Sequence, residues 1–335
     1  MCLVNLIAVL VKIKLNSKFF PLVVLLLTLV CCNDGAKVAE EIDKIPVDFT
    51  VNRFDREFAN ATVQTIPNLK SKYPYLFSSK VPDSVWTNKL TDTLQLELEQ
   101  EVALVFPEFE AERADLTSLV KHISYYFPGF KAPYVTTLIS EVQYDARVVL
   151  VDSLLLIGLD NYLGPEHRFY AGLPNYVSKQ LDKAYLTSDV ASAFAKTVNN
   201  YPHNRSFLSR MLYYGKELYI KDLILPTTKD YQRINYTQDE LEWALDNEEQ
   251  IWRYIIEKEL LYSTASDLDK RFLDPAPFSK FQLALDSESP GRIGRFVGWQ
   301  IIRAFMANNP DITLVEVLDM PADEIFKKSN YKPKR

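Results

Sequence analysis

The fold class follows first from the segment PYVTTLISEVQYDARVVLVDSLLLI, residues 133–157. Its two apolar segments, Pro133 to Ile139 and Ala146 to Ile157, are rich in Val, Ile, Leu and Thr. These residue types favour the pleated, half-buried surface of a sheet. We therefore predict two buried strands here and a further strand near residues 45–55, where apolar and polar residues partly alternate.

Helical patterns dominate the rest of the chain. Leu90, Leu94, Leu98 and Val102 recur at near-helical spacing and predict one helix over residues 83–105. Further helices are predicted over 115–126, from a cap at Ser188, over 205–222, from a capping box at Thr237 to residue 262, over 291–308 and over 321–328. The fold class is therefore α+β, a predominantly helical single domain with a small β-sheet.

The charge of the chain argues against a nucleic-acid partner. The formal net charge is −6, and the first 31 residues hold three lysines and no acid. The remainder is more acidic still, whereas a nucleic-acid backbone demands clustered Lys and Arg. The basic last ten residues, FKKSNYKPKR, are typical of a solvated terminus, and the alternative is a contact with anionic lipid or a partner. We predict no nucleic-acid binding.

Two adjacent cysteines, Cys31 and Cys32, follow an uncharged apolar run, FFPLVVLLLTLV at 19–30. A membrane-spanning helix needs about 20 apolar residues, so this run has the length of a signal-peptide core. The sequence Leu29-Val30-Cys31-Cys32 resembles the processing site of bacterial lipoproteins, where the cysteine after the cut is acylated. We predict that Cys32 carries the lipid, with palmitate as a fatty acyl group.

This processing site divides the chain into three parts. We predict a signal peptide over residues 1–31, an acidic tether over 32–44 and a single globular domain over 45–335. The protein would then be a cell-membrane lipoprotein whose body faces the periplasm. The alternative is a plain membrane anchor with two incidental cysteines. After cleavage the domain would have no free thiol for catalysis, a disulfide or a zinc site.

The sequence contains none of the catalytic motifs that we sought. It lacks the H-E-x-x-H of zinc proteases, the G-x-S-x-G of serine hydrolases and the glycine-rich phosphate loops. The three histidines, His122, His167 and His203, show no ligand spacing. We therefore predict no catalytic residue, no metal and no cofactor.

A glycine-rich loop after the second predicted strand holds Asp160, Glu166 and His167. Functional groups often lie on such loops, so these three are candidate binding residues. The alternative is a capped turn in which Asp160 accepts hydrogen bonds from nearby backbone amides.

Two further glycine-containing segments are ambiguous in the same way. Arg292 and Arg295 lie in SPGRIGRFVG, at the start of a predicted helix, where an anion could bind. Tyr214 and Lys216 flank Gly215 on another helix, and Lys216 could reach a carboxylate. The alternative in both segments is close helix packing, because glycine lets two backbones approach.

Segments spread in order along most of the chain carry a family resemblance: VNRFDREF (51–58), YYFPGFKAPYVTTLIS (125–140), IGLDNYLGPEHRFYAGLPNY (157–176), MLYYGKELYIKDLILP (211–226), NEEQIWRYIIEKELLYST (247–264), APFSKF (276–281), ESPGRIGRFVGWQIIRAFMANNP (288–310) and IFKKSNYKPK (325–334). They resemble GldB, the gliding-motility lipoproteins of Bacteroidetes. The resemblance implies a lipoprotein needed for gliding, with two partners: the bilayer, through acylated Cys32, and proteins of the gliding or type IX secretion machinery. It implies no catalytic residue.

The order of elements is also similar, more faintly, to zinc-peptidase-like proteins that carry H-E-x-x-H and then E-G on a second helix. The metal-binding helix would be SDVASAFAKTVNN, 188–200, which has neither His nor Glu, and Tyr214-Gly215 stands where E-G belongs. This similarity implies a zincin-like scaffold without its metal. We therefore predict a non-enzymatic protein, with a peptidase-like hydrolase of degenerate or unconventional site as the alternative.

Overall fold

The computed structural model describes residues 33–283 and 286–334. The chain divides into two compact units, one ending at Pro46 and the other beginning at Val47. In the first unit the described residues form helix α1, Asn33–Asp43, over most of the predicted tether. The predicted signal peptide and Cys32 lie outside the described residues.

The second unit is built mainly from helices. In chain order they are α2 Phe54–Ala59, α3 Ile66–Lys72, α4 Asp83–Lys89, α5 Thr93–Val105, α6 Glu110–Tyr126, α7 Asn175–Ser178, α8 Leu186–Val198, α9 Phe207–Ile224, α10 Asp230–Ile234, α11 Gln238–Asp246, α12 Glu248–Glu257, α13 Asp267–Phe272, α14 Ile293–Asn308, α15 Leu314–Asp319 and α16 Ala322–Ser329.

A four-stranded mixed sheet packs among these helices. Its order is β1-β2-β4-β3, where the strands are β1 Val51–Arg53, β2 Tyr134–Leu138, β3 Val148–Val151 and β4 Leu154–Gly158. Strand β2 pairs in parallel with both β1 and β4, and β3 is antiparallel to β4. The predicted α+β class, mostly helical with a small sheet, is confirmed.

The single strand predicted over 146–157 is wrong, because this segment is a hairpin of β3 and β4. The chain turns at Asp152, whose φ of 51° lies in the left-handed region that Asp tolerates better than most residues. Apolar residues on both sides of the turn concealed it, since a buried apolar run shows no alternation that would mark two strands.

The helix predicted over 83–105 is interrupted. Helix α4 ends at Lys89 and α5 begins at Thr93, because the carboxylate of Asp92 accepts a hydrogen bond from the Gln95 N–H at 2.9 Å and caps a new helix. Of the residues that gave the helical spacing, Leu98 is buried, whereas 46% of Leu94 is exposed.

The helix predicted from Thr237 to residue 262 is also interrupted, although its capping box is confirmed. The Glu240 N–H donates to the Thr237 hydroxyl at 3.2 Å, and the Thr237 N–H donates to the Glu240 carboxylate at 2.9 Å. The break comes at Asn247, whose side-chain amide donates to the Trp243 carbonyl at 2.9 Å and competes with the helical backbone bond.

The predicted cap at Ser188 is wrong. Helix α8 already begins at Leu186, and the Ser188 hydroxyl donates instead to the Gln232 carbonyl at 2.6 Å. This bond ties α8 to α10 rather than starting a helix.

Helices α9 and α14 approach each other backbone to backbone. A Cβ added to Gly215 would lie 2.3 Å from the Gly298 carbonyl oxygen, and one added to Gly298 would lie 2.0 Å from the Met211 carbonyl oxygen. The predicted close packing at these glycines is confirmed. This contact fixes α9 against α14, and both helices contribute charged side chains to the site described next.

Candidate functional site

A polar pocket of about 270 Å³ lies where α8, α9 and the start of α14 meet. Helix α8 contributes Asp189, Ser192 and Lys196, and α9 contributes Tyr214, Glu217 and Lys221. These positions recur every three or four residues, so on each helix they share one face. The pocket is therefore lined by the polar stripes of two otherwise largely apolar helices.

Asp189 and Arg147 form the buried ion pair of this pocket. The Arg147 Nε and an Arg147 terminal nitrogen donate to the two Asp189 oxygens at 2.7 and 2.9 Å. The Tyr162 hydroxyl and the Asn235 amide donate to the same carboxylate at 3.0 and 2.8 Å. Burial by itself would raise the pKa of Asp189, but the charge and hydrogen bonds of Arg147 outweigh burial and lower it.

Lys221 differs from Arg147, because it is buried without such a partner. Only 1% of Lys221 is exposed, and its Nζ donates to the Ser192 hydroxyl at 2.9 Å. Burial lowers the pKa of Lys221 to about 8, and the positive charge of Arg292 lowers it further, against the opposing pull of Glu217 and Asp189. A positive charge at this position is therefore held at a free-energy cost.

Arg292 is held in place by neutral groups. One of its terminal nitrogens donates to the Asn235 carbonyl at 2.8 Å, and its guanidinium carbon lies 5.6 Å from the centre of the Tyr236 ring. Burial, followed by the charge of Arg295, lowers the pKa of Arg292 to about 10.

Arg295 is held in a similar way. Its Nε donates to the Leu273 carbonyl at 2.6 Å, and its guanidinium carbon stacks 3.9 Å from the centre of the Tyr214 ring. A carbonyl and a ring orient each guanidinium but do not neutralise it.

The charges that line the pocket are unequal in number. The cationic side chains are Arg147, Lys196, Lys221, Arg233, Arg292 and Arg295, and the carboxylates are Asp145, Asp189 and Glu217. Arg147 pairs with Asp189, and Arg233 pairs with Asp222 and Asp230. In the part of the chain that the structure describes, no carboxylate oxygen lies within 4.0 Å of the nitrogens of the other four cations. The pocket is therefore cationic.

The structure brings three of the predicted binding residues together: Tyr214, Arg292 and Arg295 all line this pocket. Lys216 does not, although it lies on α9. Its Nζ donates to the carbonyls of Leu318 and Met320 at 2.8 and 3.1 Å, and burial lowers its pKa to about 8.

The three candidates from the glycine-rich loop lie elsewhere. Asp160 is buried, and its carboxylate accepts hydrogen bonds from the Ser140 and Val142 N–H groups at 2.8 and 2.6 Å. Burial raises the pKa of Asp160, and these backbone bonds oppose the rise. This geometry matches the capped turn that was the alternative interpretation of the loop.

The other two loop residues lie near the surface. Glu166 is exposed, and the His167 Nε2 lies 3.4 Å from the carboxylate of Glu101 on α5. None of the described residues that line the cationic pocket comes from this loop. The loop reaches this site through the Tyr162 hydroxyl, which bonds to Asp189, and not through the three predicted residues.

Sequence reasoning missed Lys221, Asp189, Arg147 and Glu217. One signal was available: polar residues at 189, 192 and 196 and at 214, 217 and 221 interrupt apolar helices at helical spacing. Such a stripe indicates that the buried face of a helix borders a polar space.

Neither a cluster of metal ligands nor a membrane-spanning helix occurs among the described residues. Within 33–283 and 286–334, no group of three or more His, Cys, Asp or Glu side chains has the arrangement of a metal site. Over the same residues, no helix has both the length and the apolar character that a membrane crossing requires.

The protein family of this chain follows from comparison with known families. Residues 35–333 match the family described as gliding motility protein GldB. The chain belongs to this family. The predicted resemblance is confirmed, and membership identifies the chain as a gliding-motility lipoprotein associated with a membrane. No curated protein and no solved structure matched the chain.

Proposed function

We propose that the protein is an acylated lipoprotein that faces the periplasm and supports gliding through contacts with the gliding and type IX secretion machinery, without catalysis. The observation that carries this proposal is the family match over residues 35–333, which begins shortly after Cys32. A lipid anchor confines the domain to a membrane and raises its effective concentration for membrane-bound partners.

Acylation of Cys32 is tested by labelling cells with an alkyne-tagged fatty acid and comparing two variants. We expect Cys32→Ser to lose both the label and membrane association. Cys31→Ser is the matched control, because serine remains a small residue before the cut, and it should keep both. A labelled Cys32→Ser protein would place the lipid elsewhere and overturn this assignment.

The charges in the pocket support a non-catalytic role. A hydrolytic zinc site needs ligands with lone pairs around a dication, which activates a bound water. Here Lys221, Arg292 and Arg295 line the pocket beside helices α8 and α9. The Asp189 carboxylate already forms an ion pair with Arg147. A cationic lining repels a divalent metal ion by Coulomb's law.

The second candidate function, a peptidase-like hydrolase, is favoured by one observation. The two helices that the fainter similarity assigns to metal binding do face a common pocket, through Ser192 on α8 and Tyr214 on α9. Zinc analysis and peptidase assays of the purified protein discriminate between the two functions. Stoichiometric zinc with activity that a chelator removes would establish the hydrolase and overturn the non-catalytic proposal.

The machinery contact is tested by affinity capture of the full chain from detergent-solubilised membranes after crosslinking in living cells. We expect proteins of the gliding or secretion machinery to be enriched over a capture with an unrelated lipoprotein. Equal recovery from both captures would contradict the proposed contact.

A further inference from the structure

We propose that the cationic pocket is a binding site for a small acidic ligand, whose carboxylate or phosphate group is held by Lys221, Arg292 and Arg295. This inference goes beyond the proposed function, which requires no ligand. It rests on four features of the pocket: unneutralised charge, fixed cations, a shared location and a suitable size.

Unneutralised charge is the first feature. Lys221 is 1% exposed, and its hydrogen-bond partner Ser192 is neutral. Among the described residues no carboxylate forms an ion pair with it. A buried charge is normally paired, because removal from water costs several kcal/mol. An anion in the pocket would supply the missing partner.

Fixed orientation is the second feature. Arg292 is held by the Asn235 carbonyl and the Tyr236 ring, and Arg295 by the Leu273 carbonyl and the Tyr214 ring. Each bond uses one nitrogen and leaves other N–H groups of the guanidinium free to donate. Guanidinium donors match carboxylate and phosphate oxygens in pairs, and preorganised side chains lose little entropy on binding.

Shared location is the third feature. The charge of Arg292 lowers the pKa of Lys221, and the charge of Arg295 lowers the pKa of Arg292, so the three side chains line one space. Their mutual repulsion disfavours the cluster unless an anion lies among them. Asp189 is not the sole carboxylate that lines this pocket, because Asp145 and Glu217 face it as well. These carboxylates repel additional negative charge, so a ligand with a single anionic group fits better than a polyanion.

Size is the fourth feature. A pocket of about 270 Å³ exceeds a bare oxyanion and lies just below the roughly 300 Å³ at which drug-sized ligand sites begin. Tyr214 and Leu218 give it a partly apolar wall, and Gln180 and Asn235 add neutral polar groups. The ligand is therefore a small organic acid or phosphate ester rather than a polymer.

Calorimetry and thermal unfolding of the full chain in detergent test the proposal, with inorganic phosphate and acetate, which each carry one acidic group, as separate probes. Sodium chloride at matched ionic strength is the control. We expect at least one probe to bind at millimolar concentration or below and to raise the melting temperature by a few degrees. Binding of phosphate alone, acetate alone or both supports an oxyanion site and identifies its preference.

Variants locate the bound ion. Arg295→Gln and Lys221→Met should each weaken binding at least tenfold. Lys216→Met is the matched control, because this half-buried lysine on α9 donates to carbonyls outside the pocket, and the variant should bind the probe as the natural chain does. Arg292→Lys, which retains the charge, should keep part of the affinity and provides a milder variant if another fails to fold.

Three outcomes would overturn the proposal. One is no binding of either probe by the natural chain up to tens of millimolar. Another is an equal effect of sodium chloride. The third is unchanged affinity in folded Arg295→Gln and Lys221→Met, which would show an adventitious surface ion only.

Discussion

Lys221 is the residue whose position has the clearest energetic consequence. Its folded-state pKa of about 8 lies below the value of 10.5 for an exposed lysine. Between these two pH values the unfolded chain binds more protons than the folded chain, so the contribution of Lys221 to stability rises with pH. Below pH 8 the group is charged in both states, and burial of the charge destabilises the fold.

We predict that Lys221→Met increases the free energy of unfolding at pH 7 by about 1–3 kcal/mol, because a buried charge is removed while the apolar part of the side chain remains. The gain should shrink between pH 8 and 9.5, as the natural chain loses the same charge. Urea unfolding at pH 7 and 9.5 measures both values. A gain that grows with pH contradicts the proposed burial cost.

The charge of Asp189, unlike that of Lys221, is paired with an opposite charge, that of Arg147. We predict that Asp189→Asn destabilises the protein by about 3–5 kcal/mol, since it leaves the Arg147 guanidinium without its counter-ion. The control is Glu249→Gln, which breaks the exposed pair with Arg253 and should change the unfolding free energy by less than about 1 kcal/mol. Equal effects in urea unfolding would show that the Asp189 pair is not important for stability.

The sequence identified only part of the pocket. Arg292 and Arg295 were found because they lie at the predicted start of a helix, where an anion could bind, and Tyr214 because it flanks Gly215 on another helix. Lys221 was missed, because a lysine in a helix usually points to solvent, and only the packing of α8 against α9 buries it. Burial of this kind depends on contacts between distant segments, which local sequence patterns do not report.

At the scale of elements, the contact between α9 and α14 positions the pocket. We predict that Gly298→Ala destabilises the protein by at least about 2 kcal/mol, because the new Cβ would lie 2.0 Å from a backbone carbonyl of Met211 that cannot move aside easily. Thermal or urea unfolding measures the loss.

Gly172→Ala is the matched control for this substitution. A Cβ at Gly172 meets no atom within 4 Å, so the change should be neutral or slightly stabilising. If Gly298→Ala unfolded with the same midpoint as Gly172→Ala, the close approach of the two helices would be wrong.

Element types were easier to predict than element boundaries. The capping box at Thr237 could be identified, because both of its residues lie within four positions. The breaks at Asp92 and Asn247 were missed, because each depends on one polar side chain that bonds to the backbone within an otherwise helical pattern. The turn at Asp152 was missed because apolar strands flank it on both sides.

At the scale of the whole molecule, the chain combines an acidic sequence with a cationic pocket. The net charge is −6, whereas the pocket holds Lys221, Arg292 and Arg295 without ion-pair partners among the described residues. A concave site with an excess of positive charge concentrates ligands of the opposite sign, and the net negative charge of the whole chain disfavours polyanions. The contrast fits selection of a small anion over a nucleic acid.

Gliding motility is the cellular property that the family assignment connects with this chain. The family match covers residues 35–333, so almost all of the chain after Cys32 belongs to the part that defines gliding-motility protein GldB. The central claim is that this domain supports gliding from a lipid anchor at Cys32. Gliding is a property of whole cells, so the test uses living cells.

The most direct measurement is the gliding speed of single cells that lack the gene and carry one replacement copy, at protein levels matched by immunoblot. We predict that the natural chain and Cys31→Ser restore gliding, whereas the empty vector and Cys32→Ser leave cells non-motile. Normal gliding in cells without the gene, or full rescue by an unacylated Cys32→Ser protein, would contradict the account.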